Sequence, residues 1–219
     1  MSATPVDSRA EPPAALRLQP VLHVVDDDPS VRRALNSLGS SCGLIVQTYE
    51  SAAAFMSTYR ADRPGCLLLD VRMPDMSGLE LQGAICRHES KLPVIVMTAY
   101  ADVPLAVESM RRGAFDFIEK PFSASLLLER VQAAVDLSTR RWKRREIRAA
   151  LRARLENLST RERQIIDLIV SGRETKEVAR TLELSPKTVE YHKTRAYRKL
   201  EVANIAQLVR MVLSARKRV

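Results

Sequence analysis

The sequence predicts an α/β protein in two parts: a five-stranded, doubly wound parallel sheet, then a long linker helix leading to an all-α domain of four short helices. Three observations carry that reading. Short apolar runs alternate five times with amphipathic stretches between residues 21 and 138, the pattern of repeated βα units. After Pro121-Phe122 no helix breaker occurs until Ser159. Charge also divides along the chain: residues 1–122 hold 12 Lys+Arg against 15 Asp+Glu (net −3), residues 123–219 hold 23 against 11 (net +12), together the +9 of the whole.

Strands are expected at Leu22–Val25, Ile45–Tyr49, Cys66–Leu69, Val94–Met97 and Phe115–Ile118. The runs are continuous rather than alternating, most plainly in Cys66–Leu69 and Val94–Met97, as befits parallel strands covered on both faces. Helices are expected near 30–41, 51–59, 77–89 and 103–112, with a fifth opening after Pro121. That fifth helix carries an apolar stripe at Leu126, Leu127, Val131, Val135 and Leu137, then becomes densely charged in RRWKRREIRAALRARL. Ile147, Leu151 and Leu155 recur every four positions, a narrow seam that either pairs with a second copy or belongs to a solvated spacer. Ser159-Thr160-Arg161-Glu162 reads as a capping box for a helix ending at Val170, before Gly172. Further helices follow near 174–182, 186–200 and 205–216, the middle one starting on a Ser185 cap with Pro186 at its first position. The expected divisions are 1–20, a disordered leader; 21–122, the core of the first domain; 123–157, its last helix extended into a linker; and 158–219, the helical domain.

At 219 residues and 46% hydrophobic content, two domains with real cores are within reach. Residues 1–20 lack the apolar stretch of a signal peptide and nothing approaches a membrane span, so a soluble cytoplasmic protein with no membrane role is expected. Cys42, Cys66 and Cys86 form no CxxC and no zinc spacing; they read as buried free thiols in a reducing compartment. The basic second half suggests a polyanionic partner, although charge alone equally describes a solvated helical face.

The chemistry lies at strand ends. Leu67-Leu68-Leu69 stops at Asp70, ahead of a Pro/Gly-punctuated loop from Met73 to Gly78, and Asp26-Asp27-Asp28 closes the first strand in the same way. Open α/β sheets bind ligands at this carboxyl edge. If the two acidic sets converge, they make a hard-oxygen site suited to Mg²⁺, and one carboxylate can act as a nucleophile toward phosphorus. The blander readings are Asp28 as a helix cap and Asp70 as a turn residue.

VVDDD at 24–28, LDVRMPDMSG at 69–78, VMTA at 96–99 and IEKPF at 118–122 resemble, in order and spacing, the receiver domain of two-component response regulators. The resemblance implies that Asp70 accepts a phosphoryl group from a sensor histidine kinase. It implies that Asp27, Asp70 and the backbone carbonyl of Arg72 hold Mg²⁺ while Asp26 orders the metal's waters. Thr98 and Lys120 would be drawn to the phosphoryl oxygens, with Phe117 moving in behind Thr98. The chemistry agrees: phosphoryl transfer needs positioning and charge neutralisation, Lys120 adds a point charge, and Thr98 offers a hydroxyl donor. Ala99-Tyr100 departs from the Gly-His frequent in FixJ-type relatives, and places Tyr100 near the phosphate entrance.

Residues 158–209 resemble the LuxR-type helix-turn-helix of FixJ- and NarL-type regulators: L-[ST]-x-R-E, K-E-[VI]-A, S-x-x-T-V-x-x-H and K-L occur in order. In the third helix Val189, His192, Ala196 and Leu200 recur at three and four residues and face inward, His192 as a packed histidine. Lys187, Glu190, Tyr191, Thr194, Arg195 and Arg198 fall mostly opposite. The resemblance implies base contacts from Glu190, Tyr191 and Thr194, and phosphate contacts from Thr175, Lys176, Lys187, Lys193 and Arg195. Glu190 stands where a basic residue is frequent; it either accepts from a cytosine amino group or repels other sequences. Thr175 replaces a frequent Asn.

Together the two resemblances imply a phosphorylation-gated transcription regulator, not a dedicated enzyme. It would form a homodimer on phosphorylation, bind double-stranded promoter DNA and work with RNA polymerase, more as activator than repressor. Two alternatives compete. A haloacid-dehalogenase-like phosphohydrolase also uses a strand-end Asp with Mg²⁺, but the residue two positions on is Arg72 rather than a second Asp. A phosphorylation-independent DNA-binding regulator with a vestigial receiver is disfavoured by the presence of Asp26, Asp27, Asp70, Thr98 and Lys120.

Overall fold

The computed structural model describes residues 19–74, 78–87, 92–99 and 103–216. The chain divides into two compact units, Met1–Trp142 and Lys143–Val219. In the first, β1 (Val21–Val25), α1 (Pro29–Ser41), β2 (Ile45–Tyr49), α2 (Ala52–Thr58), β3 (Gly65–Asp70), α3 (Gly78–Arg87), β4 (Val94–Thr98), α4 (Val103–Arg111) and β5 (Asp116–Glu119) alternate along the chain. The five strands are parallel in the order β2-β1-β3-β4-β5.

Successive residues of the central strands enter different cores. Leu22, Val24, Cys66, Leu68, Ile95 and Met97 pack with Leu35 of α1. Val25, Leu67, Leu69, Val94 and Val96 pack with Phe55 of α2 and with Leu81 and Ile85 of α3. Burial on both faces is why β3 and β4, and β1 apart from its buried His23, read as apolar without alternation. β2 is half-exposed and β5 buries only Ile118; as edge strands they lie at the margin of the helical layers, so the expected two-sided cover does not extend to them.

α5 (Ala124–Glu156) is one helix of 33 residues. Its first turns complete the α1-side core through Leu127, Val131 and Val135, and Ser138 Oγ accepts from the buried Gly65 amide at 3.0 Å. In the second unit α6 (Thr160–Val170), α7 (Thr175–Thr181), α8 (Pro186–Leu200) and α9 (Ile205–Arg216) close on Ile165, Ile166, Val178, Val189, Leu200 and Leu208. The capping box forms: Ser159 Oγ accepts from the Glu162 amide, and Glu162 accepts from the Ser159 amide. Leu151 and Leu155 pack against this core, while Ile147 is 61% exposed. Two of the three seam residues are therefore committed to the second unit, which takes in the last turns of α5.

Cys66 is buried, which pushes its thiol up to about 12. Cys42 is exposed at the C-cap of α1, against the expectation of three buried thiols. The leader through residue 18, residues 77, 88 and 89 of the third expected helix, the side chain of Cys86 and Tyr100 lie outside the described residues. No helix among those described is long and apolar enough to cross a membrane.

Candidate functional site

β1 and β3 are neighbours although β2 lies between them in sequence, and ligands of open sheets bind in the crevice where the winding reverses. Asp26 follows β1, Asp70 ends β3, Thr98 ends β4 and Lys120 follows β5. The Lys120 amide donates to the Thr98 carbonyl at 2.7 Å, and the Lys120–Pro121 peptide is cis. From there the Lys120 ammonium donates to Asp26 Oδ2 at 2.7 Å and to Asp70 Oδ1 at 2.8 Å. The second oxygen of each carboxylate accepts from a loop amide: Asp26 Oδ1 from Asp28 at 2.9 Å, Asp70 Oδ2 from Arg72 at 2.8 Å. Both carboxylates are thus buried, oriented and turned to one nitrogen.

Burial raises the pKa of Asp26; the Lys120 and Asp28 hydrogen bonds oppose it without cancelling it, and the Asp70 charge adds to the rise. Burial pulls Lys120 down, but the hydrogen bonds it donates to both carboxylates, with their charges, outweigh it and the net shift is upward. One ammonium against two buried carboxylates leaves an excess negative charge, which is costly without a further cation. The donor set fits Mg²⁺, a hard ion that keeps several waters and needs few protein ligands. Asp27 is not drawn into the pair: it is exposed, and no three His, Cys, Asp or Glu residues among those described form a preformed cage. The Arg72 side chain is exposed, Thr98 is buried, and Phe117 is half-buried against the core that also receives Leu105 of α4.

Arg32 was not singled out from the sequence. Arg32 Nη1 donates to the carbonyls of Asp26 at 2.7 Å and Asp27 at 2.9 Å, clamping the acidic loop from α1. Its signal is only its place one turn into the helix that the acidic run opens. Asp28 caps that helix, accepting from the Ser30 amide at 2.7 Å, so the blander reading of Asp28 holds. Glu162, read as a cap, also binds Lys199 Nζ at 2.7 Å and lies 3.8 Å from Arg195 Nε. It thereby joins α6 to α8.

On α8, Val189, Ala196 and Leu200 are buried and His192 is half-buried. Lys187, Glu190, Tyr191, Thr194, Arg195 and Arg198 are exposed, and Lys193 is half-buried. Arg195 Nη1 donates to Tyr191 Oη at 3.2 Å, with its guanidinium carbon 5.7 Å from the ring centroid. Lys176 is exposed and Thr175 half-buried at the start of α7. Beside them an open groove is lined by Arg173, Lys176, Lys193, Tyr197 and Asn204. The outer face of α8 and the start of α7 therefore carry cations, hydroxyls and one carboxylate, the chemistry of phosphate positioning and base-edge contact.

Residues 22–132 match the family described as the response regulator receiver domain, and residues 156–212 match bacterial regulatory proteins of the luxR family. The transcriptional regulatory protein FixJ of Azorhizobium caulinodans is 41% identical over 194 residues, 89% of this chain and 92% of that one. The response regulator protein TodT of Pseudomonas putida is 37% identical over 191 residues, 87% of this chain and 84% of that one. Among solved structures, the response regulator StyR superposes with a TM-score of 0.81 at 36% identity, covering 89% of this chain and 98% of that chain. Full-length FixJ from B. japonicum gives 0.53 at 34%, covering 90% and 98%.

Proposed function

The chain belongs to the response regulators that join a receiver domain to a LuxR-type DNA-binding domain, and on that premise we propose that Asp70 is the phosphoacceptor of a FixJ-like transcription regulator. The observation that carries the assignment is the meeting of Asp26 and Asp70 on the Lys120 ammonium at the sheet's switch point. An Asp70 oxygen attacks the phosphorus of a sensor-kinase phosphohistidine, the P–O bond forming as the P–N bond breaks. Lys120 then turns to the new phosphoryl oxygens and the Thr98 hydroxyl donates to another. Mg²⁺ held by Asp27, Asp70 and the Arg72 carbonyl, with Asp26 ordering its waters, would supply charge neutralisation for the transferring group.

Phosphorylation adds about two negative charges at neutral pH, drawing Thr98 inward with Phe117 behind it. The change reaches the α4–β5 face, where Val103, Val107 and Met110 are exposed, and that face pairs with a second copy. One DNA-binding module buries little surface, so the homodimer supplies affinity through effective concentration. Glu190, Tyr191 and Thr194 face bases of double-stranded promoter DNA; Lys176, Lys187, Lys193 and Arg195 face phosphates. Residues 123–157 are the last receiver helix, extended into the linker. The protein acts in the cytoplasm with RNA polymerase, as an activator, and is not a dedicated enzyme.

Intact-mass analysis after incubation with acetyl phosphate and Mg²⁺ tests the acceptor. Wild type gains one phosphoryl group and Asp70→Asn gains none while melting normally. A variant that is still labelled places the acceptor elsewhere.

A further inference from the structure

The carboxylate of Glu190 is fixed from two sides. The Thr175 hydroxyl donates to Oε1 at 2.8 Å, and Lys193 Nζ donates to Oε1 and Oε2 at 3.1 and 3.2 Å. The Glu190 side chain is still 49% exposed. A carboxylate offers about four lone-pair sites, so one on Oε2 remains open on the outer face of α8. The Thr175 hydroxyl, with Lys193 assisting against partial burial, holds Glu190 below the usual carboxylate range. The group is therefore an acceptor only.

We propose that Glu190 is the specificity-determining residue for a cytosine, accepting from its exocyclic amino group, and that Thr175 positions it rather than contacting phosphate. The proposal rests on the DNA-binding reading above. In the major groove cytosine presents a lone amino donor; adenine sets its amino group beside the N7 acceptor, while guanine and thymine present acceptors. A fixed carboxylate with one open lone pair is attracted to the first and repelled by the rest. The two locking contacts also remove rotamer freedom that an unrestrained glutamate would lose on binding. Because Glu190 partly neutralises Lys193, its removal frees a cation for phosphate and lifts a repulsion. Glu190→Ala should accordingly bind unrelated DNA more tightly and discriminate less.

The test is selection from a randomised duplex pool by full-length, beryllofluoride-loaded protein, with sequencing of the bound fraction and melting curves to confirm folding of each variant. Wild type should enrich an invariant C·G pair in each half-site, whose exchange weakens binding about tenfold. Glu190→Gln should move that position toward A·T, because a glutamine amide pairs bidentately with adenine. Glu190→Ala should leave it degenerate. Thr175→Val should weaken the cytosine preference and Thr175→Ser should restore it. A Glu190→Ala pool that keeps the same C·G pair overturns the proposal and leaves the DNA-binding reading intact. Thr175→Val selecting like wild type overturns the positioning role, and a wild type that enriches no sequence overturns both the proposal and the reading beneath it.

Discussion

Gly78 lies so close to the main chain of Asp70 that a Cβ there would stand 2.2 Å from the Asp70 carbonyl oxygen. The Gly78 amide donates to the Val71 carbonyl at 3.1 Å, folding α3 back onto the end of β3. Gly78→Ala is expected to separate them, costing about 1–3 kcal/mol of stability. Labelling of Asp70 by acetyl phosphate should slow on the order of tenfold. Urea melts and labelling rates measure the two effects; normal labelling would show that Asp70 does not depend on this close approach.

Asp26 holds its proton more tightly in the fold than in the unfolded chain, where its ordinary value is 3.8. Its contribution is therefore most favourable at low pH and declines as pH rises through the folded value, so at neutral pH ionised Asp26 works against stability until a cation beyond Lys120 arrives. Asp26→Asn is expected to raise the metal-free Tm by roughly 2–4 °C and to lose the increase that Mg²⁺ gives wild type. Scanning calorimetry with and without Mg²⁺ distinguishes this from a purely structural Asp26, whose loss would lower Tm in both conditions.

Glu162 has the opposite sign. Burial pushes it up, but Lys199 and the Ser159 amide and hydroxyl more than offset that, so it ionises below its ordinary 4.5. The resulting stability is present above 4.5 and disappears as pH falls through the folded value. Glu162→Gln should cost about 2 kcal/mol at neutral pH and weaken DNA binding, because the Lys199 end of α8 loses its tie to α6. Amide hydrogen exchange in α6 and α8 should rise in the variant, with the difference from wild type shrinking in acid; equal exchange at neutral pH would remove Glu162 from that role.

His23 is buried among Tyr49, Phe55 and Tyr59, with Nδ1 3.1 Å from Tyr49 Oη. Burial lowers it from 6.5 to about 4. The fold keeps this residue neutral, so its contribution is complete above 6.5 and is lost as pH falls toward 4, by roughly 3 kcal/mol in all. His23→Leu should flatten the urea midpoint of the first unit across that interval. A midpoint as steep as that of wild type would assign the acid sensitivity to other groups.

The central strands were legible because burial on both faces removes alternation, and the boundaries of β2 in sequence and structure coincide at Ile45–Tyr49. Exposure of the sheet edges was signalled only by Gln47, Thr48 and Asp116 within the β2 and β5 segments, a signal lost in reading all five segments as one class of buried strand. The strand-end residues Asp26, Asp70, Thr98 and Lys120 were readable from their motifs, and the sheet register gathers Asp26, Asp70 and Lys120. Arg32, the Glu162–Lys199 pair and the Thr175–Glu190 bond escaped because each depends on contacts between separate elements. The Ile147, Leu151 and Leu155 seam, read as pairing with a second copy or as a solvated spacer, missed its actual use for a related reason: its spacing does not say that Leu151 and Leu155 meet their own unit's core.

Whether phosphorylation of Asp70 gates DNA binding is tested most directly by the solution mass and specific DNA affinity of wild type and Asp70→Asn, in Mg²⁺, before and after adding beryllofluoride. Wild type alone should shift from monomer to dimer and gain affinity. Equal binding by both proteins, with neither changing mass, would contradict the gating mechanism and leave a DNA-binding regulator whose receiver is vestigial.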